Sequence, residues 1–228
     1  MRRVGDYLHR GGLTVYGPRL PGHGTTLQDL NRRRWTEWTE HVEQALAELQ
    51  DRCETVFAGG LSMGALLALY LAAQHPELAG AIAYSPATRI ADRRAFLVAA
   101  LKHVAPHSPK GADDLTDPGA RAYKWSYDAW PLAAAHELIK LTRQVRRRLT
   151  QVACPVLIVH STGDRTIHPD SAPDTYRLLA SRDKELVTLH NSGHVLTVDS
   201  QWELVAEKTY QFVQARVGQA EIGESGIR

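Results

Sequence analysis

Cysteine is scarce. Cys53 and Cys154 are too few for a disulfide framework and lack the spacing of a metal site. They read as small buried apolar residues of a reducing compartment. Charge of one sign is also missing. The 27 Lys+Arg against 25 Asp+Glu leave +2, no electrostatic footprint for nucleic acid. No apolar stretch approaches the roughly 20 residues needed to cross a bilayer, so no stable membrane insertion is expected. The start, Met1-Arg2-Arg3-Val4-Gly5-Asp6, has no apolar h-region and is not read as a secretory signal. A cytoplasmic location is the expectation. There are no internal repeats and no low-complexity segment. What is present is ordinary globular composition, 43% hydrophobic and 23% charged. A chain of 228 residues fits one large domain that needs no staple. It leaves the oligomeric state open.

Short β-rich apolar runs alternate with longer helical patterns, which points to an α/β fold with a mostly parallel sheet flanked by helices. The strand candidates are Leu13–Tyr16, Thr55–Gly59, Gly80–Ser85, Pro155–His160 and Glu185–His190. Trp35, Trp38, Val42, Ala45, Leu46 and Leu49 recur at helical spacing, which predicts an amphipathic helix over about 34–50. Ala65–Ala73 is apolar nearly all round, the pattern of a buried helix. From 91 to 150 the strand rhythm stops. Phe96, Leu97, Val98 and Leu101 are followed by a polar loop, then Tyr123, Trp125, Tyr127 and Trp130, then a helix from Pro131 to Leu149. This stretch reads as a small helical cap inserted into a core made of residues 1–90 and 151–228. A last helix is predicted at about 200–216, with a frayed tail beyond Val217.

Gly60-Leu61-Ser62-Met63-Gly64 is a G-x-S-x-G pentapeptide placed between a strand and a buried helix. That is the setting of a nucleophile elbow, where a sharp turn lifts the serine hydroxyl off the sheet edge. Small residues at Gly60 and Gly64 would let strand and helix close on the turn. The N–H of Met63, at the helix N-terminus, can meet a developing oxyanion. The bland alternative is a glycine-rich turn with an idle serine.

A serine at its free pKa is a poor nucleophile, so a base and an orienting acid are required. In elbow-type sites they follow in the order Ser, Asp/Glu, His. Asp164 follows the strand Pro155–His160, and His194 follows Glu185–His190, each just past a carboxyl end. Asp164 could instead be a turn former, and Asp170 competes with it. His23 precedes the elbow, His190 belongs to a strand and His168 adjoins Pro169, so His194 is preferred as base. Ser62, Asp164 and His194 are the catalytic candidates, with Met63 as oxyanion donor.

These residues resemble the α/β-hydrolase fold, and more narrowly small bacterial carboxylesterases and monoacylglycerol lipases. The likeness spans nearly the whole chain. It includes Arg19-Leu20-Pro21-Gly22-His23-Gly24-Thr25, the elbow, Pro155–Val159 leading to Asp164, and Ser192-Gly193-His194-Val195-Leu196-Thr197-Val198-Asp199. The resemblance implies hydrolysis of a small acyl ester through an acyl-enzyme, with no cofactor, and a cap over an acyl pocket. It implies substrate contacts from Trp125, Trp130 and Asp128, the last through a glycerol hydroxyl, although a solvated cap residue at Asp128 and plain core aromatics are the readings against it. The resemblance also implies an apolar strand ending in a His-Gly loop that supplies a second oxyanion N–H. No such strand or dipeptide precedes Leu13, so the core is expected to be N-terminally incomplete. The missing strand would lie between Leu13–Tyr16 and Thr55–Gly59. A catalytically impaired binding protein is the alternative this raises.

Overall fold

The computed structural model describes residues 1–89 and 97–224. Its centre is a parallel sheet of four strands, β1 (Phe57–Leu61), β2 (Gly80–Tyr84), β5 (Val156–Ser161) and β6 (Lys184–Leu189), in the order β1-β2-β5-β6. Register is fixed by pairs such as Gly60 with Ala83, Ala83 with Ile158, and Ile158 with Leu186. The expected mostly parallel sheet flanked by helices is present.

Side-chain alternation decides which helix covers which face. Ala81, Ala83, Val156 and Ile158 join the core under α3 (Trp35–Gln50), α4 (Met63–Gln74) and α6 (Leu132–Arg148). Ile82, Tyr84, Leu157 and Val159 point the other way, against α1 (Arg2–Arg10) and α8 (Trp202–Glu224). Both faces of β5 are therefore covered, which is why Val-Leu-Ile-Val reads as a continuous apolar run. Each such side chain, fully buried, stabilises the fold by roughly 1.5–3 kcal/mol. α4 lies between sheet and outer helices, so Ala65, Leu66, Leu67, Ala68 and Leu69 are all buried, as its all-round apolar pattern requires.

Three readings need correction. Leu13–Tyr16 is not a strand; Val15 and Tyr16 stand 44% and 47% exposed. β propensity alone does not make a strand without a ladder partner, and no described strand lies on the outer edge of β1. The last helix runs on to Glu224 rather than stopping near 216. The stretch between β2 and β5 is not purely helical: β3 (His107–Pro109) and β4 (Ala129–Pro131) form an antiparallel pair within it. That stretch also holds α5 (Val98–Leu101); Phe96 lies outside the described residues. A short α2 (Leu27–Arg32), capped by the Thr26 hydroxyl accepting from Asp29 N–H, was not anticipated. The remaining helix, α7 (Ser171–Leu178), packs against β5 and β6. No described helix is long and apolar enough to cross a membrane.

Candidate active site

The chain leaves β1 through Ser62 and enters α4 at once. The turn puts Ser62 at φ 56°, ψ −108°, a left-handed φ that a non-glycine residue adopts only under constraint. Two contacts supply the constraint. Ser62 N–H donates to the Tyr84 carbonyl at 2.8 Å, and the strand presses on the helix so closely that a Cβ on Gly60 would lie 2.3 Å from the Gly64 carbonyl carbon. Gly60 is thus obligatory. Gly64 is different: a Cβ there meets nothing within 4 Å, so only half of the expected glycine requirement holds.

Asp164 and His194 sit on the loops after β5 and β6. His194 Nε2 is 2.9 Å from Ser62 Oγ, and its Nδ1 is 2.7 Å from Asp164 Oδ2. An ionised carboxylate only accepts, so Nδ1 carries the proton and Nε2 is free to act as base. The side chains of His194 and Asp164 are 9% and 5% exposed. Burial of Asp164 favours its neutral form. The contact with His194 and the N–H groups of Ile167 and Thr166 outweigh this and hold its pKa below the ordinary value.

The two loops also brace each other. Ser161 Oγ donates to the Ser192 carbonyl at 2.5 Å, and a Cβ on Gly163 would sit 2.6 Å from that same oxygen. Ser85, buried at φ 42° just past β2, donates from Oγ to the His194 carbonyl at 3.1 Å. Motif reading missed Ser85. Its only local sign is a serine between a buried strand and Pro86.

The rival residues lie elsewhere. Asp170 pairs with Arg89, His23 Nδ1 faces the Pro21 carbonyl, and His190 Nδ1 faces the Thr162 hydroxyl. Met63 opens α4, with its N–H in the unpaired first turn. Trp125 and Trp130 stand exposed and Asp128 half-buried in the stretch between β2 and β5, and no described hydrogen bond joins them to Ser62, Asp164 or His194. Tyr127, between them, ties this stretch to the loop before α2: its hydroxyl donates to the Gly22 carbonyl at 2.7 Å and accepts from Thr25 N–H at 3.1 Å. A cavity of about 490 Å³ lies away from Ser62, lined by residues including Arg32, Arg34, Lys102 and Lys140. Its basic lining does not suit an acyl chain. No group of three or more His, Cys, Asp or Glu able to hold a metal occurs among the described residues.

A serine raised on a strand-to-helix elbow, with an aspartate and a histidine on the loops after two later parallel strands, is the plan of the α/β-hydrolases. Within that class the chain belongs to the serine aminopeptidase S33 family, whose model (Hydrolase_4) matches residues 1–201. It is 33% identical over 222 residues to the thermostable monoacylglycerol lipase of Bacillus sp. (strain H-257), covering 96% of this chain and 86% of that one. It is 24% identical over 215 residues to a carboxylesterase of Bacillus subtilis (strain 168), covering 94% and 86%. Among solved structures, a metagenome-derived lipolytic enzyme of the LipS and LipT pair superposes with a TM-score of 0.90 at 32% identity, over 94% of this chain and 87% of that one. The chain is therefore a serine-hydrolase-family protein, similar to esterases and lipases.

Proposed function

We propose that the protein hydrolyses carboxylic esters through an acyl-enzyme on Ser62, with monoacylglycerols as the favoured substrate class. The observation that carries this is the unbroken chain Asp164–His194–Ser62, at 2.7 and 2.9 Å, on an elbow. His194 takes the Ser62 proton as Oγ attacks the ester carbonyl carbon. The carbonyl oxygen becomes an oxyanion, met by the Met63 N–H and the positive end of α4. Collapse breaks the bond to the alcohol oxygen, which leaves with the proton from His194. Water, deprotonated by His194, then attacks the acyl carbon; the bond to Ser62 Oγ breaks, Oγ takes the proton back from His194, and the acid leaves. Asp164 holds the imidazole tautomer and stabilises the imidazolium.

The monoacylglycerol assignment rests on the 33% identical Bacillus lipase. We assign the cap, residues 91–150, to covering the acyl pocket, and Asp128, Trp125 and Trp130 to contacting substrate. A second reading, a binding protein with crippled turnover, is favoured by one fact: β1 has no described strand on its outer edge, the side from which a second oxyanion donor is expected. Losing one such donor costs on the order of 10²–10³ in turnover. Steady-state kinetics with p-nitrophenyl butyrate and 1-monolauroylglycerol test both. Turnover of both, lost in Ser62→Ala, supports the hydrolase; saturable binding without turnover supports the binder. If Asp128→Ala leaves the ratio of the two rates unchanged, its glycerol contact is wrong.

A further inference from the structure

Both loops that carry the acid and the base are held by one segment of the cap. Asp199, 1% exposed, accepts four backbone N–H groups: Gly193 at 2.6 Å, Asp117 at 2.8 Å, Thr116 at 2.9 Å and Ser200 at 2.9 Å. Gly193 immediately precedes His194, whereas Thr116 and Asp117 belong to the cap. The bond from Thr116 is bifurcated, its N–H also reaching the second carboxylate oxygen at 3.1 Å. Two residues before Thr116, Asp114 reaches the acid loop. It accepts from Arg165 N–H at 2.8 Å, from the Thr166 hydroxyl at 2.9 Å and from Arg165 Nε at 3.3 Å, directly after Asp164.

The fit is steric as well as polar. A Cβ on Gly193 would lie 2.4 Å from the Asp114 carbonyl oxygen, so the cap backbone rests on the base loop. A buried carboxylate costs several kcal/mol unless donors meet its charge, and here backbone amides do so. Burial works to raise the Asp199 pKa, but the N–H groups of Asp117, Gly193, Thr116 and Ser200 outweigh it and keep the group ionised.

We infer that Asp199 is a positioning residue: it sets His194 on Ser62 by clamping the base loop to the cap at Thr116 and Asp117, while Asp114 does the same for the acid loop. The inference rests on the triad reading above. It makes the cap segment Asp114–Asp117 a fixed support of the base and acid rather than part of a loose cover.

The test uses the full chain with Asp199→Asn and Thr116→Pro. Proline has no N–H, so the second variant removes one bond of the clamp and leaves the Asp199 charge in place. Both are expected to lower kcat ~10–100-fold with KM little changed, as displacement of a reacting group by an ångström does. Both are also expected to broaden or abolish the downfield proton resonance of the His194 Nδ1–H bonded to Asp164, while thermal unfolding stays cooperative. Unchanged kcat and resonance in Thr116→Pro overturn the inference. A fall in kcat with the resonance intact also overturns it, because the role is then merely structural. The resonance needs no turnover. If the unaltered protein shows the resonance but hydrolyses no ester, and Thr116→Pro abolishes it, the clamp stands and the hydrolase reading fails. If Asp199→Asn does not fold, Thr116→Pro and Asp114→Asn decide by the same two readouts.

Discussion

The two flanks of the central sheet hold their catalytic candidates by different means. On the β5–β6 flank, Asp164 and His194 sit on loops stitched by buried polar bonds: Ser161 to Ser192, Ser85 to His194, and Asp199 to Gly193. β5 itself is buried along almost its whole length between β2 and β6. On the β1 flank the strand that carries Ser62 has a described partner on one side only, its Gly59 is exposed, and Val15 and Tyr16, expected as a strand, face solvent. Ser62 is instead fixed by close backbone packing of Gly60 on Gly64 and by one bond to Tyr84. The lesson is that Asp164 and His194 depend on a hydrogen-bond network, whereas Ser62 depends on backbone shape. The flanks should therefore fail under different substitutions.

The largest effect should come from the networked flank. Asp164→Asn leaves the shape but allows the wrong imidazole tautomer, and should lower kcat on the order of 10⁴-fold in ester hydrolysis. A loss below tenfold would remove Asp164 from the triad. Stability should separate the flanks next. Leu157→Ala, in the buried centre of β5, should cost about 2–5 kcal/mol in urea unfolding, against within about 0.5 kcal/mol for exposed Val15→Ala. Equal costs would mean that Val15 packs as closely in solution as Leu157 does.

The elbow provides a sharper contrast within five residues. Gly60→Ala forces a Cβ into the Gly64 backbone and should cost about 1–3 kcal/mol or more, together with activity. Gly64→Ala enters open space within a helix and should be neutral or stabilise by up to about 1 kcal/mol. Comparable melting temperatures for the two variants would refute the shape argument.

The smallest effect belongs to a clasp on the nucleophile flank. His75, at the end of α4, lies 2.6 Å from Glu43 and 2.9 Å from Glu77. Partial burial disfavours its charge, but the two carboxylates outweigh that and raise its pKa above 6.5. A raised pKa stabilises the fold below the unfolded value, and the gain is lost as pH rises through the folded value. His75→Gln should therefore cost more at pH 5.5 than at pH 9. The difference should stay below ~1 kcal/mol, because the group is partly solvated. A gap that grew with pH would reverse the sign.

The flanks also differ in how far the sequence disclosed them. The elbow and the loops bearing Asp164 and His194 were legible because each is a local signal, a glycine-flanked turn or a polar step after an apolar run. The buried strands were legible because both faces are covered. Leu13–Tyr16 misled because its β-branched and aromatic residues carry propensity, while a strand also requires a neighbour that propensity does not encode. The bond from Thr116 to Asp199 was hidden for the opposite reason. Asp199 meets Thr116 across 83 positions, and no local pattern marks an aspartate that will accept backbone amides from a distant loop. Gly64 looked as necessary as Gly60 because the motif gives both the same letter, yet only on Gly60 would a Cβ meet a neighbour.

The hydrolase proposal stands or falls with Ser62 as a nucleophile activated by His194. Intact-mass spectrometry after brief treatment with a fluorophosphonate ester tests it most directly. One adduct per chain is expected, mapped to Ser62, absent in Ser62→Ala and strongly slowed in His194→Ala. Folded protein that takes no adduct, or labelling that survives Ser62→Ala, would contradict it.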